Sequence, residues 1–213
     1  MGINLTRADG ILYVQLDRVE ALNAIDAPMR DALYEAFCNT QDDPSIEAII
    51  LHGAGKGFCA GADLAEFGEA NTVLQKRRIR LQHDVWEVIR TCNKLTIAAM
   101  HGFAVGSGIE LAMLCDMRIA AEKTVFALPE ASIGMMPAAG GTQSLPRVTT
   151  LARAMDIALT GRKFSADEAW QYGIVEHIVP QDELLDAATA YAKIIIQKPY
   201  WRTVQHHIRT SAD

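Results

Sequence analysis

Leu95-Thr-Ile-Ala-Ala-Met100-His-Gly-Phe-Ala-Val-Gly106-Ser-Gly-Ile-Glu110-Leu-Ala-Met-Leu-Cys115 is the stretch on which the fold turns. It is apolar over a length that would cross a bilayer as a helix. It also carries His101, Gly102, Gly106, Ser107, Gly108 and Glu110, and an ionisable residue near a membrane centre is costly. A buried strand over 95–100, a glycine turn and a buried helix over 109–115 account for it better. Glu110 then sits among Ile109, Leu111, Ala112, Met113 and Leu114. Such surroundings disfavour a charged carboxylate and raise its pKa toward values suited to proton transfer. A second carboxylate, Glu130, ends Phe126-Ala-Leu-Pro129-Glu130, just ahead of Pro137-Ala-Ala-Gly140-Gly141-Thr142-Gln143. Most glutamates are solvated surface acids; the apolar neighbours favour a buried, working pair.

The same layout extends outward. Residues 3–6 and 11–16 read as a hairpin around Ala8-Asp9-Gly10. Asp26 is a helix cap with Pro28 in the first turn, and Met29, Leu33, Ala36, Phe37 and Thr40 share one face. Residues 48–52 form a short apolar strand of the parallel type. After a glycine-rich loop over 53–63, helical spacing joins Leu74, Leu81, Val85, Trp86 and Ile89. Further strands are predicted over 118–121, 124–127 and 174–179. Ser165-Ala-Asp-Glu168 has the capping-box pattern, and Gly173 stands where that helix should stop. Helices follow over 181–197 and from Pro199 onward. Recurrent strand, glycine turn and helix indicate an α/β fold with crossover connections. The domain organisation expected is a core over 1–180 and a helical C-terminal segment over 181–213.

Composition narrows the function. Of 213 residues, 50% are hydrophobic and 22% charged, which fits a globular protein with a sizeable core. A net charge of −6 and a pI of about 5.5 argue against a general grip on nucleic acid. The basic cluster Lys76-Arg77-Arg78-Ile79-Arg80 reads first as a solvated helix face. Cys38, Cys59, Cys92 and Cys115 are scattered without metal-type pairing, so a reducing compartment and a cytoplasmic location are expected. The N-terminus shows no signal-peptide pattern, and the loose myristoylation pattern of Met1-Gly2-Ile-Asn-Leu-Thr6 is too short to weigh against an early strand. No membrane association and no metal site are expected.

A strand that feeds a glycine turn and then a helix leaves unpaired N–H groups at the helix start, where a negative oxygen is favoured. The chain does this at Gly61-Ala62-Asp63 and again at Gly106-Ser107-Gly108. Two such donors meeting at one point would form an oxyanion hole, suited to a thioester carbonyl that becomes an enolate. Gly53-x-Gly55-Lys56-Gly57 lacks the spacing of a phosphate-binding P-loop. Ser107 lacks the G-x-S-x-G frame of a nucleophile elbow. Cys59 reads as a small buried thiol before a nucleophile.

Four segments together resemble the crotonase (enoyl-CoA hydratase/isomerase) family: Glu20-Ala-Leu-Asn-Ala-Ile25, Gly57-Phe-Cys-Ala-Gly-Ala-Asp-Leu64, His101-Gly-Phe-Ala-Val-Gly-Ser-Gly-Ile-Glu-Leu111, and Pro129-Glu130 through Gly140-Gly-Thr-Gln143. The resemblance runs in order over about 12–179. It implies a crotonase-like spiral of β-β-α units with a helical C-terminal region, usually assembled as trimers or dimers of trimers. It also implies an oxyanion hole from the N–H groups of Ala62 and Ser107; members often have glycine at the latter position. Glu110 would activate the water that attacks the β-carbon, and Glu130 would exchange the proton at the α-carbon. Ala24, Ala60, Asp63, Leu64 and Gly106 would line the substrate groove, with Met135, Met136 and Pro137 at its acyl end. Coenzyme A enters as part of the substrate, and no separate cofactor is expected.

Both glutamates together favour an enoyl-CoA hydratase, a hydro-lyase, over a Δ3,Δ2-enoyl-CoA isomerase, which needs one base. A hydratase/lyase and a non-catalytic or RNA-binding homologue are the alternatives. Relative to the family pattern the C-terminal region is short, ending at His206-His-Ile-Arg-Thr-Ser-Ala-Asp213.

Overall fold

The computed structural model of the chain describes residues 2–66 and 83–211. The basic cluster at 76–80, with Leu74 and Leu81 of the expected long helix, lies outside the described residues. Strands β1 (Ile3–Ala8) and β2 (Ile11–Leu16) form the expected hairpin. Strands β3 (Ala48–Gly53), β4 (Leu95–Met100), β6 (Met117–Ala121) and β9 (His177–Val179) then add in parallel, in the order β1-β2-β3-β4-β6-β9. Every residue of β4 is buried, as its unbroken apolar run requires of a central parallel strand.

Period-two alternation divides the core between the two faces of this sheet. Leu12, Val14, Leu16, Ile49, Leu51, Ala98, Met100 and Ala120 face one side. There they meet α1 (Ala27–Gln41) through Met29, Leu33 and Phe37, α2 (Val85–Arg90) through Val85 and Ile89, and α3 (Ser107–Met113) through Ile109 and Leu111. The opposite face presents Ile11, Ala48, Ile50, Ile97, Ala99, Ile119 and Ala121. Helix α7 (Leu184–Ile196) covers it with Leu184, Ala188 and Ala192, a stripe at every fourth residue, and Trp201 of α8 (Trp201–Ser211) closes one end. Each large aliphatic side chain so buried contributes about 1.5–3 kcal/mol.

A second sheet of β5 (Phe103–Val105), β7 (Val125–Ala127) and β8 (Phe164–Ser165) holds the strands that leave the first. Cys59 joins it through a parallel bridge to Ala104. The chain therefore winds as a spiral. β4 enters the large sheet, β5 the small one, and α3 follows; β6 and β7 repeat the step, followed by a short 3-10 turn at Glu130–Ile133. Three further helices, α4 (Gly141–Val148), α5 (Leu151–Thr160) and α6 (Ala166–Gln171), complete the wrap.

Several of the expected elements differ in their bounds. The hairpin's first strand runs to Ala8. The buried helix begins at Ser107, two residues before the expected start, because the backbone of Gly106 turns at φ 52° and starts the helix at once. The strand expected over 174–179 is confined to His177–Val179, since Ile174 and Val175 enter the core ahead of it. Strands β5 and β8, three and two residues long, escape a reading by periodicity. Among the described residues no helix is long and apolar enough to cross a membrane.

Candidate active site

Gly106 aims the site. At φ 52° and ψ −126° it occupies a conformation that side chains disfavour, and it delivers the chain from β5 into α3. A Cβ at this position would lie 2.7 Å from Oε1 of Glu130, so the second carboxylate rests directly against its backbone. Glu110, one helical turn onward, points into the same cleft from α3, where it is 1% exposed; Glu130, opening its 3-10 turn, is 9% exposed.

Glu110 is held by the loop over 139–141, for which the sequence alone indicates no role. Its Oε1 accepts hydrogen bonds from the N–H of Gly141 at 2.7 Å and of Ala139 at 3.0 Å. A Cβ at 141 would stand 2.8 Å from that oxygen and 3.0 Å from Pro137 Cβ, so a side chain there would displace the carboxyl. The glycine pair ahead of α4 was the available signal, but nothing local linked it to a carboxylate about thirty residues earlier. Oε2 of Glu110 and Oε2 of Glu130 are buried and have no hydrogen-bond partner among the described residues. Burial pushes the Glu110 carboxyl above its ordinary range; the Gly141 N–H opposes this, and the charge of Glu130 adds to the rise. Glu130 is raised as well, chiefly by burial.

The two glycine turns meet at the cleft. Ile25 and Ala62 form a parallel bridge in which Ile25 N–H donates to Gly61 O at 2.8 Å and Asp63 N–H to Ile25 O at 3.0 Å. The Ala62 N–H between them points away from the bridge and has no acceptor among the described residues. The Ser107 N–H, first in α3, likewise has none. The segments touch: a Cβ on Gly61 would lie 3.6 Å from Ser107 N.

A cleft of about 370 Å³ is bounded by Ala24, Ala60, Ala62, Asp63, Leu64, Gly106, Ser107, Glu110 and Glu130, all expected from the sequence. Met135 and Met136 line it too, together with Ile133 and Ala138, which were not foreseen. Pro137 is buried and is not among the lining residues, whereas Ala138 is. Cys59 lies beneath the cleft with its thiol pushed up to about 12 by burial, which leaves it inert as a nucleophile. The arrangement offers two donors for a developing oxyanion and two weakly acidic carboxyls beside it.

The chain is similar to known proteins in sequence and in fold. The sequence profile of the enoyl-CoA hydratase/isomerase family matches residues 6–212. A probable enoyl-CoA hydratase of Mycobacterium bovis is 40% identical over 195 residues, covering 92% of this chain and 75% of the relative. A carnitinyl-CoA dehydratase of Salmonella arizonae is 39% identical over 206 residues, covering 92% and 74%. A solved enoyl-CoA hydratase subunit from Geobacillus kaustophilus superposes with a TM-score of 0.93 at 30% identity, covering all of this chain and 83% of that one.

Proposed function

The chain belongs to the enoyl-CoA hydratase/isomerase family, the crotonases, and from that premise we propose that it is an enoyl-CoA hydratase, adding water to a 2-enoyl-CoA to give a 3-hydroxyacyl-CoA. One observation carries the choice: two buried carboxyls with raised pKa values share a cleft with two unpaired main-chain donors. The thioester oxygen sits between the N–H groups of Ala62 and Ser107. Glu110, its Oε1 already occupied by the 139–141 loop, uses the free Oε2 to take a proton from water as the C–O bond forms at the β-carbon. The π electrons move onto the thioester oxygen, where the two N–H groups stabilise the enolate. Glu130 delivers a proton to the α-carbon as the carbonyl re-forms. Transfer of the proton taken up by Glu110 back to Glu130 resets the pair. Ala24, Ala60, Asp63, Leu64 and Gly106 form the substrate groove in this reading, and coenzyme A belongs to the substrate.

The dehydratase among the relatives supports a second direction for the same chemistry, loss of water from a 3-hydroxyacyl-CoA. Isomerisation would leave Glu110 without work. Mass spectrometry of crotonyl-CoA and 3-enoyl-CoA after incubation separates these readings. A gain of one water is expected. An unchanged mass with altered absorbance, or fragmentation, would overturn the hydratase assignment.

Homotrimers or hexamers belong to this reading. The exposed stripe Leu151, Met155 and Leu159 on α5 supports burial in an assembly; light scattering measures it, and a monomer would contradict it. The free thiols fit a reducing compartment such as the cytoplasm.

A further inference from the structure

The Ala62 donor lies on an irregular segment, and regular sheet pairing does not fix its direction. Its neighbours are held instead. Ala60 N–H donates to Leu22 O at 3.1 Å and Asp63 N–H to Ile25 O at 3.0 Å. Leu22 and Asn23 both adopt positive φ, 54° and 56°, an uncommon conformation for consecutive side-chain-bearing residues. Asn23 is buried and its amide donates to Ala54 O and Gly57 O, while its carbonyl accepts from Arg18 N–H.

Arg18 closes this structure from one side. Its Nη1 donates to Ala24 O at 2.6 Å, its Nη2 to Asp63 Oδ2 at 3.0 Å, and its Nε lies 3.1 Å from Asp26 Oδ2. Asp63 in turn uses Oδ1 for the Ala65 N–H, and Asp26 uses Oδ1 to cap α1 through Met29 N–H. One planar guanidinium thus joins the residue before Ile25, the residue after Ala62 and the start of α1. Ile25 and Ala62 form the bridge that leaves this N–H facing away from Ile25, on a residue that lines the cleft. A lysine carries the same charge on a single point and lacks the fork that reaches three acceptors at once.

We propose that Arg18 is a positioning residue of the reaction: through Asp63 and Ala24 it sets the direction of the Ala62 N–H toward the substrate oxygen. This rests on the reading of Ala62 as an oxyanion donor. A small misplacement of such a donor lowers turnover without removing ground-state binding.

The test uses cinnamoyl-CoA, whose near-ultraviolet band moves to longer wavelength when donors draw charge onto its carbonyl oxygen, alongside steady-state kinetics with crotonyl-CoA. In R18K the expected result is a kcat about ten- to a hundredfold lower, a KM close to wild type, and a diminished band shift at saturating probe. D63N should show the same loss of kcat and of band shift at saturating probe, because one carbonyl oxygen cannot serve both Arg18 and the Ala65 N–H; its KM carries no weight, since Asp63 also lines the cleft. R7Q, which removes an exposed arginine paired with Asp43, should match wild type in both readouts. A merely structural role would lower thermal stability and leave kcat and band shift of the folded protein intact, and that result overturns the proposal. If R18K does not fold, D63N decides by kcat and band shift. Wild type binding the probe with no band shift would refute the oxyanion hole itself, whereas a shift kept by the variants refutes only the role of Arg18.

Discussion

At the start of α3, Ser107 offers two donors, a main-chain N–H and a hydroxyl, and substitution separates them. Ser107→Pro deletes the N–H at the one helical position where proline is well tolerated, so kcat should fall about 10²–10³-fold with folding retained. Ser107→Ala should stay within about fivefold of wild type, since one neutral hydrogen bond is worth about 1 kcal/mol. Steady-state kinetics on both variants checks this; equal losses would place the chemistry on the hydroxyl. The raised carboxyls make a second claim. Hydration needs one of the pair ionised and the other protonated, so the pH profile of kcat should be bell-shaped, its acid limb above the ordinary carboxylate range. Glu110 and Glu130 were legible in the sequence because their neighbours are apolar. Arg18 was not: an arginine in a turn looks like any solvated cation until its acceptors, one of them 45 residues away, are brought to it.

Helix α8 shows how an element with little apolar surface is fastened. Arg209 donates to Asp116 Oδ1, to the carbonyls of Arg90 and Cys92, and to Thr96 Oγ1, and Gln205 adds bonds to Asp116 and to Lys94 O. Arg209→Ala leaves those carbonyls and a partly buried carboxylate short of a partner. It should cost about 1–3 kcal/mol, read as a lower urea midpoint; an unchanged midpoint would show that apolar contacts alone hold α8. Elements with local chemistry were readable. Asp26 accepts from Met29 N–H as a cap, the buried face of α1 is the expected one, and Ser165 and Glu168 form the capping box. Elements defined by distant pairing were not: β5 needs β7, and α4 contains Pro146 and begins with glycine.

Across the whole molecule, the large sheet buries apolar side chains on both faces, and the site occupies the seam where strands pass into the small sheet. The apolar runs made a parallel sheet legible; the order β1-β2-β3-β4-β6-β9 was not, because order depends on which strands meet after the crossovers. Placing a carboxylate in this seam has a global consequence. Folding raises the pKa of Glu110, so the native state holds that proton more tightly than the unfolded chain does. The penalty is present in full above the folded pKa and is lost as pH falls to the ordinary carboxylate value. Glu110→Gln keeps an acceptor for the Ala139 and Gly141 N–H groups. It should therefore melt higher than wild type at neutral pH, with the difference shrinking toward about pH 5; a difference that grows on acidification would reverse the sign of the shift.

In the proposed reaction Glu110 and Glu130 act together on an enoyl thioester held by two main-chain donors. The most direct measurement follows the conjugated-thioester absorbance of crotonyl-CoA with wild type, Glu110→Gln and Glu130→Gln. The band should disappear with wild type, and each variant should be slower by about 10²–10⁴-fold while remaining folded. Hydration at the wild-type rate by either folded variant would contradict it.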